Sequence, residues 1–313
     1  PFDDDSGEGP FDDDSGEGPF DDDSGEGPFD DDSGGSLFED DGSDSDDDGG
    51  GLFGDDFATA FESASSGGGA STSEFEDEEF DSDIPRIDLG IRGLDEMILG
   101  GVPQRSLMVV MGAAGTGKTT FGLQFLHHGV QNDEKGVYIT LEESATAVEQ
   151  AAVEKGWPFD RYLEDDRLAI VDLDPIEMAN SLTSIRDDLP RLIESFDAER
   201  LVLDSVSLLE MMYSDQAKRR TEVFDFTKSL KRAGITTMLT SEVNDSDAYT
   251  SKHGIIEYLT DAVFVLQYVR TEFQETRLAV EIQKIRNANH SRETKPYEMT
   301  DEGLSVYQQA DIF

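Results

Sequence analysis

One stretch restricts the fold more than any other: Met108-Val-Val-Met-Gly112-Ala-Ala-Gly115-Thr-Gly117-Lys118-Thr119-Thr120, followed by Phe121-Gly-Leu-Gln-Phe-Leu126. A short apolar run leads into G-x-x-x-x-G-K-T and then into helix-patterned residues. That order is the strand, loop and helix of a nucleoside-triphosphate site. The glycines let the backbone wrap closely round a phosphate chain, with successive N–H groups turned inward and the helix N-terminus adding partial positive charge. The expected phosphate-binding positions are Gly112, Ala113, Ala114, Gly115, Thr116, Gly117, Lys118, Thr119 and Thr120. Lys118 is expected on the β- and γ-phosphates and the Thr119 hydroxyl on a Mg²⁺ ion.

Around this unit, short apolar runs alternate with helix-patterned segments. Strands are expected at Leu107–Met111, Val137–Leu141, Leu168–Asp172, Leu201–Leu203 and Ile235–Thr240, and helices near 118–130, 144–155, 181–196 and 216–233. In the second helix Ala147, Val148, Ala151 and Ala152 fall on one face. This alternation implies right-handed βαβ units, hence an α/β fold with a mainly parallel sheet and helices on both faces. Ala262–Tyr268 and Arg277–Ile285 read as an antiparallel hairpin that extends the sheet near the C-terminus. Residues 84–313 suffice for one such domain.

Ligands of open α/β sheets sit beyond the carboxyl ends of the strands, so the residues there are the candidates. Glu142 and Glu143 follow the second strand, where a carboxylate can orient and deprotonate an attacking water. Asp204 closes the apolar run Arg200-Leu-Val-Leu203 and suits a water-mediated hold on Mg²⁺. Glu242 follows the strand ending at Ser241, either as a reporter of the γ-phosphate or as a simple loop start. Lys284, Arg286 and His290, spaced K-x-R-x-x-x-H, lie late in the chain at the far edge of the sheet. From there they cannot easily reach their own phosphate loop. Taken alone they read as a solvated basic strand end, with a neighbour's phosphates as the sharper alternative.

The first 83 residues have another character. They carry 32 of the 71 acidic residues and none of the 24 Lys and Arg, within a net charge of −47. Pro-Phe-Asp-Asp-Asp-Ser-Gly-Glu-Gly recurs from Pro1, Pro10 and Pro19, with a decayed copy at Pro28. One Phe per repeat buries too little apolar surface to offset chain entropy and carboxylate repulsion, so a disordered acidic tail is expected. A calcium-binding β-roll also uses nonapeptides, but these copies lack its paired glycines. Phe57-Ala-Thr-Ala60 and Phe61-Glu-Ser-Ala64 resemble the short tether of recombinases, and Gly67–Ser73 reads as a linker. The chain opens on Pro1 inside a repeat rather than on Met, which leaves open whether it starts at a natural N-terminus. The remaining acid excess predicts adaptation to multimolar salt, where charges are screened within about 3 Å. With no Cys, disulfides are excluded. No apolar run approaches a membrane span, and a soluble cytoplasmic protein is expected.

Together these residues resemble the KaiC branch of the RecA/DnaB-type P-loop ATPases, as a single-domain member. The resemblance is carried by Gly90-Ile-Arg-Gly93-Leu94-Asp95-Glu96, Gly100-Gly101-Val-Pro103, the loop itself with Gln124-Phe-Leu126, Leu141-Glu142-Glu143, Leu203-Asp204-Ser205, Thr260-Asp261 and the Lys284–His290 signature. It implies a RecA-like fold, ATP with Mg²⁺ as ligands, and a homo-oligomer, expected to be a hexamer, with ATP between subunits. It also implies that Glu142 and Glu143 act on water and that Lys284, Arg286 and His290 reach the neighbour's γ-phosphate. Members that autophosphorylate carry adjacent Ser and Thr before the Thr-Asp; here that place is Glu257-Tyr258, so autokinase activity is not expected.

The leading expectation is a slow ATPase that switches an oligomer binding regulatory protein partners. A recombinase-like DNA-binding ATPase is the rival, hinted at by Lys218-Arg219-Arg220, Lys228, Lys231 and Arg232, but these scatter over more than one helix face. A nucleotide-gated scaffold without hydrolysis is a third reading, against which the Glu142-Glu143 pair weighs.

Overall fold

The computed structural model describes residues 83–244, 246–270 and 276–307. The acidic repeats, the two Phe-x-x-Ala elements and the linker lie outside the described residues, as does the loop expected between the two hairpin strands.

The centre is a nine-stranded sheet. In chain order its strands are β1 (Leu107–Gly112), β2 (Gly136–Thr140), β3 (Leu168–Asp172), β4 (Arg200–Asp204), β5 (Thr236–Ser241), β6 (Ala262–Arg270), β7 (Thr276–Ile285), β8 (Lys295–Thr300) and β9 (Gly303–Val306). They lie side by side as β9-β8-β7-β6-β1-β5-β4-β2-β3. From β6 to β3 every pairing is parallel, while β6–β7, β7–β8 and β8–β9 are antiparallel. The parallel sheet and the β6–β7 hairpin match the sequence expectation. A second hairpin, β8–β9, was not expected: Lys295–Val306 is short and half polar, so its period-2 pattern is weak.

The helices of the parallel part are α1 (Lys118–Gln131), α2 (Ala145–Glu154), α3 (Phe159–Glu164), α4 (Pro175–Phe196), α5 (Val206–Met211) and α6 (Gln216–Ala233). Helix α4 starts six residues before the expected 181. Asp174 accepts from the N–H groups of Ile176 and Glu177, and Pro175 occupies the first turn, where its missing N–H costs nothing. Helix α6 is capped by Asp215 on the Lys218 N–H at 2.7 Å and ends at Gly234 in the left-handed region.

Two apolar cores flank the sheet, and β1 shows how the sequence divides between them. Its residues are all buried; Met108 and Val110 enter one core with α1 residues Phe121, Phe125 and Leu126. Leu107, Val109 and Met111 enter the other with Leu182 of α4 and Phe226 and Leu230 of α6. Period-2 alternation with both faces covered makes the strand apolar throughout. Each fully buried Leu, Val or Phe stabilises the fold by roughly 1.5–3 kcal/mol. Among the described residues no helix is long and apolar enough to cross a membrane.

One buried group opposes this stability. Glu210 on α5 is fully buried, and neither carboxylate oxygen has a hydrogen-bond partner among the described residues. Burial raises its pKa to about 7; the Arg219 charge opposes the rise and Glu257 adds to it. The folded state therefore holds this proton to higher pH than the unfolded chain does. Stability should fall as pH rises from about 4.5 to about 7 and stay level above. Glu210→Gln should remove that slope and raise stability at pH 8 by ~2–4 kcal/mol. Denaturant midpoints of both proteins at pH 5 and pH 8 check this.

Candidate functional site

The phosphate loop joins β1 to α1. Gly115 and Gly117 adopt φ of +79° and +87°, and a Cβ on either would lie 2.8 Å from the Tyr268 hydroxyl or 2.7 Å from Met299 Sδ. Only glycine combines that backbone with that closeness. The fully buried Thr116 donates its hydroxyl to the Ala113 carbonyl at 2.8 Å, which closes the loop. Lys118 Nζ donates to the Gly112 and Ala113 carbonyls at 3.0 and 3.1 Å, so its ammonium lies over the loop.

Asp204, at the end of β4, is the node of the site. It is 5% exposed and accepts three hydroxyl donors: Thr119 Oγ1 at 2.7 Å, Tyr138 Oη at 2.7 Å, and Thr240 Oγ1. A buried carboxylate needs such donors. Burial first, and then the Asp204 charge, holds the Tyr138 phenol well above its usual range, so it remains a donor. Tyr138 and Thr240 come from β2 and β5, the strands that flank β4. Neither was singled out from sequence, because both read as ordinary strand residues.

Beside this node, Ser205 Oγ donates to Glu142 Oε1 at 2.7 Å. The turn after β2 is fixed by the Thr140 hydroxyl, which accepts from the Glu142 and Glu143 N–H groups and donates to the Glu143 carbonyl. Both glutamates are exposed, and the Glu143 carboxylate has no hydrogen bond among the described residues. Glu242 follows β5, its N–H donating to Ser207 Oγ at 2.8 Å and its carboxylate 3.9 Å from Lys252 Nζ. With Ala113, Ala114 and Tyr268 it lines a cavity of about 640 Å³ beside the loop.

The late basic residues stand elsewhere. β6 pairs Ala262 with Met108 on one side and with Ile285 on the other, while Leu266 is level with Gly112. Lys284 and Arg286 therefore lie at the opposite end of the sheet from the loop, roughly 13 Å away along the strands. Lys284 Nζ donates to the Glu257 carbonyl at 2.6 Å, and burial, then the Arg286 charge, lowers its pKa. Arg286 Nη1 lies 3.2 Å from Asp261 Oδ1, which Lys231 also holds at 2.7 Å. His290 is set apart from both: it pairs with Ile98 and its Nδ1 is 2.9 Å from the Ser291 carbonyl.

The backbone cradle, the ammonium above it and the hard oxygen pair Thr119–Asp204 fit a nucleoside triphosphate and its Mg²⁺. Fold and site thus define a RecA-like P-loop nucleotide-binding domain. The family profile described as "ATPase: KaiC" matches residues 87–311, and the chain belongs to that family. The circadian clock oscillator protein KaiC of Acaryochloris marina is 31% identical over 232 residues, 72% of this chain and 44% of that protein. Its counterpart from Prochlorococcus marinus subsp. pastoris is 32% identical over 231 residues, 72% of this chain and 45% of that protein. The chain thus spans less than half the length of these curated relatives. The crystal structure of a KaiC-like protein from the hyperthermophilic archaeon Pyrococcus horikoshii OT3 aligns with a TM-score of 0.64 and 32% identity, covering 72% of this chain and 99% of that one.

Proposed function

We propose that this protein is a slow, Mg²⁺-dependent ATPase whose nucleotide state switches a homo-oligomer that engages regulatory protein partners. The observation that carries the reading is the Asp204 node, which joins the loop through Thr119 and stands next to Glu142 through Ser205. In this reading the loop N–H groups and Lys118 bind the phosphates, and Thr119 and Asp204 hold the ion. Mg²⁺ supplies charge neutralisation at the phosphate oxygens when bound. Glu143 takes the proton of the attacking water, Glu142 steadies that side through Ser205, and Glu242 reports from the cavity.

The distance of Lys284 and Arg286 from their own loop supports a site completed by the next subunit, a hexameric ring being the arrangement expected. His290 follows them in the chain and pairs with Ile98. The DNA-binding rival loses ground. Lys231 is committed to Asp261, Arg219 to the Glu210 and Tyr213 carbonyls, and Lys218 and Lys228 lie over Tyr213 and Phe224.

Light scattering in high salt tests nucleotide binding and assembly together. A non-hydrolysable ATP analogue should give a ring-sized mass, and ADP or no nucleotide a smaller one. An unchanged monomer mass in all three would sink the oligomeric switch.

A further inference from the structure

The antiparallel strands do more than widen the sheet. Tyr268 of β6 pairs with Leu278 of β7, which pairs with Tyr297 of β8, which pairs with Val306 of β9. Residues directly opposite across neighbouring strands share a face, so these four form one row. The row lies two residues beyond Leu266, the partner of Gly112 where β1 ends. It therefore runs under the segment in which the chain has left the sheet to form the phosphate loop.

Both phenols of the row bond to that loop. Tyr297 Oη donates to the Thr116 carbonyl at 2.5 Å, and Tyr268 Oη to the Ala114 carbonyl at 3.3 Å. The approach is as close as the chain allows: the Cβ that Gly115 lacks would meet Tyr268, and the one that Gly117 lacks would meet Met299, also of β8. Tyr297 is 4% exposed, and burial keeps its phenol protonated far above neutral pH, so it is a permanent donor.

The consequence follows from peptide geometry. In a planar trans peptide the carbonyl and the following N–H point to opposite sides. A phenol that pulls the Thr116 carbonyl toward β8 turns the Gly117 N–H away from the sheet; Tyr268 does the same for Gly115 through the Ala114 carbonyl. Those are the N–H groups a phosphate needs. The glycine that follows each of these carbonyls, Gly115 or Gly117, leaves the backbone free to rotate otherwise, so an external anchor has something to fix.

We propose that Tyr297, seconded by Tyr268, is a positioning residue for nucleotide binding, anchoring the loop carbonyls so that the loop N–H groups face the phosphates. This rests on reading Gly112–Thr120 as the ATP site. The second hairpin thereby gains a function: it backs the phosphate loop.

The test compares the unsubstituted 313-residue chain with Tyr297→Phe, Tyr268→Phe and Lys118→Ala, titrated in high salt with ADP, a non-hydrolysable ATP analogue and, by competition, adenosine. Tyr297→Phe should weaken both phosphate-bearing ligands about tenfold and leave adenosine unchanged. Tyr268→Phe, which loses a longer and half-exposed bond, should weaken them about twofold to threefold. ADP affinity within twofold of wild type in Tyr297→Phe overturns the proposal. So does an equal loss for adenosine, which marks a general structural defect. Should Tyr297→Phe fail to fold, Tyr268→Phe decides: ADP affinity equal to wild type, or an equal loss for adenosine, overturns the proposal. Failure of the underlying reading has a separate signature: wild type does not bind ADP, or Lys118→Ala binds it as tightly as wild type.

Discussion

ATP turnover should fall about 10²–10⁴-fold in Glu143→Gln, the range lost with a general base, while ATP affinity stays within about twofold of wild type. The two glutamates after β2 are chemically alike but differently placed. Glu142 is tied to Ser205 Oγ at 2.7 Å, one residue from the Asp204 node. The Glu143 carboxylate carries no hydrogen bond among the described residues and is exposed, on a backbone that Thr140 fixes at three points. A base must be rigidly placed by its backbone yet have its oxygens open to water, and Glu143 meets both conditions. Glutamine keeps the shape and removes the basicity, so phosphate contacts through Lys118 and Thr119 should persist. Glu142→Gln should cost less, since an amide oxygen still accepts from Ser205. Single-turnover hydrolysis with separately measured ATP affinity checks the assignment. Unchanged hydrolysis in the Glu142→Gln, Glu143→Gln double variant would rule both residues out as the base.

How much of this was legible in the sequence depends on how local the signal is. The loop is written in consecutive residues, and each strand-end acid follows an apolar run, so Lys118, Thr119, Glu142, Glu143 and Asp204 could be read directly. Lys284 and Arg286 were expected at the far edge of the sheet, but β7 is an interior strand, and what separates them from the loop is the opposite end of the sheet. What could not be read were partners supplied across the sheet. Tyr138 sits between Val137 and Ile139 and looks like any buried strand aromatic; only its register beside β4 puts its hydroxyl on Asp204. Thr240 is hidden in the same way on β5. Tyr297 is further still, 181 residues from the Thr116 carbonyl it holds, in a hairpin whose pattern was too weak to predict. His290 shows another limit: spacing grouped it with Lys284 and Arg286, and the chain turns after Ile285 and pairs it with Ile98. A spacing rule holds only while the strand lasts.

Arg286→Ala should lower turnover by about 10³-fold, the lower end of what an arginine supplied from a neighbouring subunit contributes, with little effect on stability. Arg286 is 55% exposed at its side chain and pairs with Asp261 at 3.2 Å. An exposed pair of this kind is worth about 0–1 kcal/mol, so the guanidinium can leave it at small cost. Asp261 would keep Lys231 at 2.7 Å and the Leu107 N–H at 3.0 Å, so the junction of α6, β1 and β6 should hold. The decisive arrangement is a mixture. In Arg286→Ala protomers the loop is intact; in Lys118→Ala protomers the arginine is. Each homogeneous assembly lacks one half of every site. In a co-expressed, randomly mixed ring, a complete site forms wherever an Arg286→Ala loop meets a Lys118→Ala arginine, which is about a quarter of the interfaces. Turnover in the mixture should therefore recover to about a quarter of the wild-type rate. A mixture no faster than the mean of its two components would show that Arg286 does not act across subunits, because a group serving its own loop cannot be rescued by a neighbour. Since Lys284 lies beside Arg286 but is anchored on the Glu257 carbonyl at 2.6 Å, Lys284→Ala should be rescued by the same mixing only if its ammonium is also released toward the next subunit.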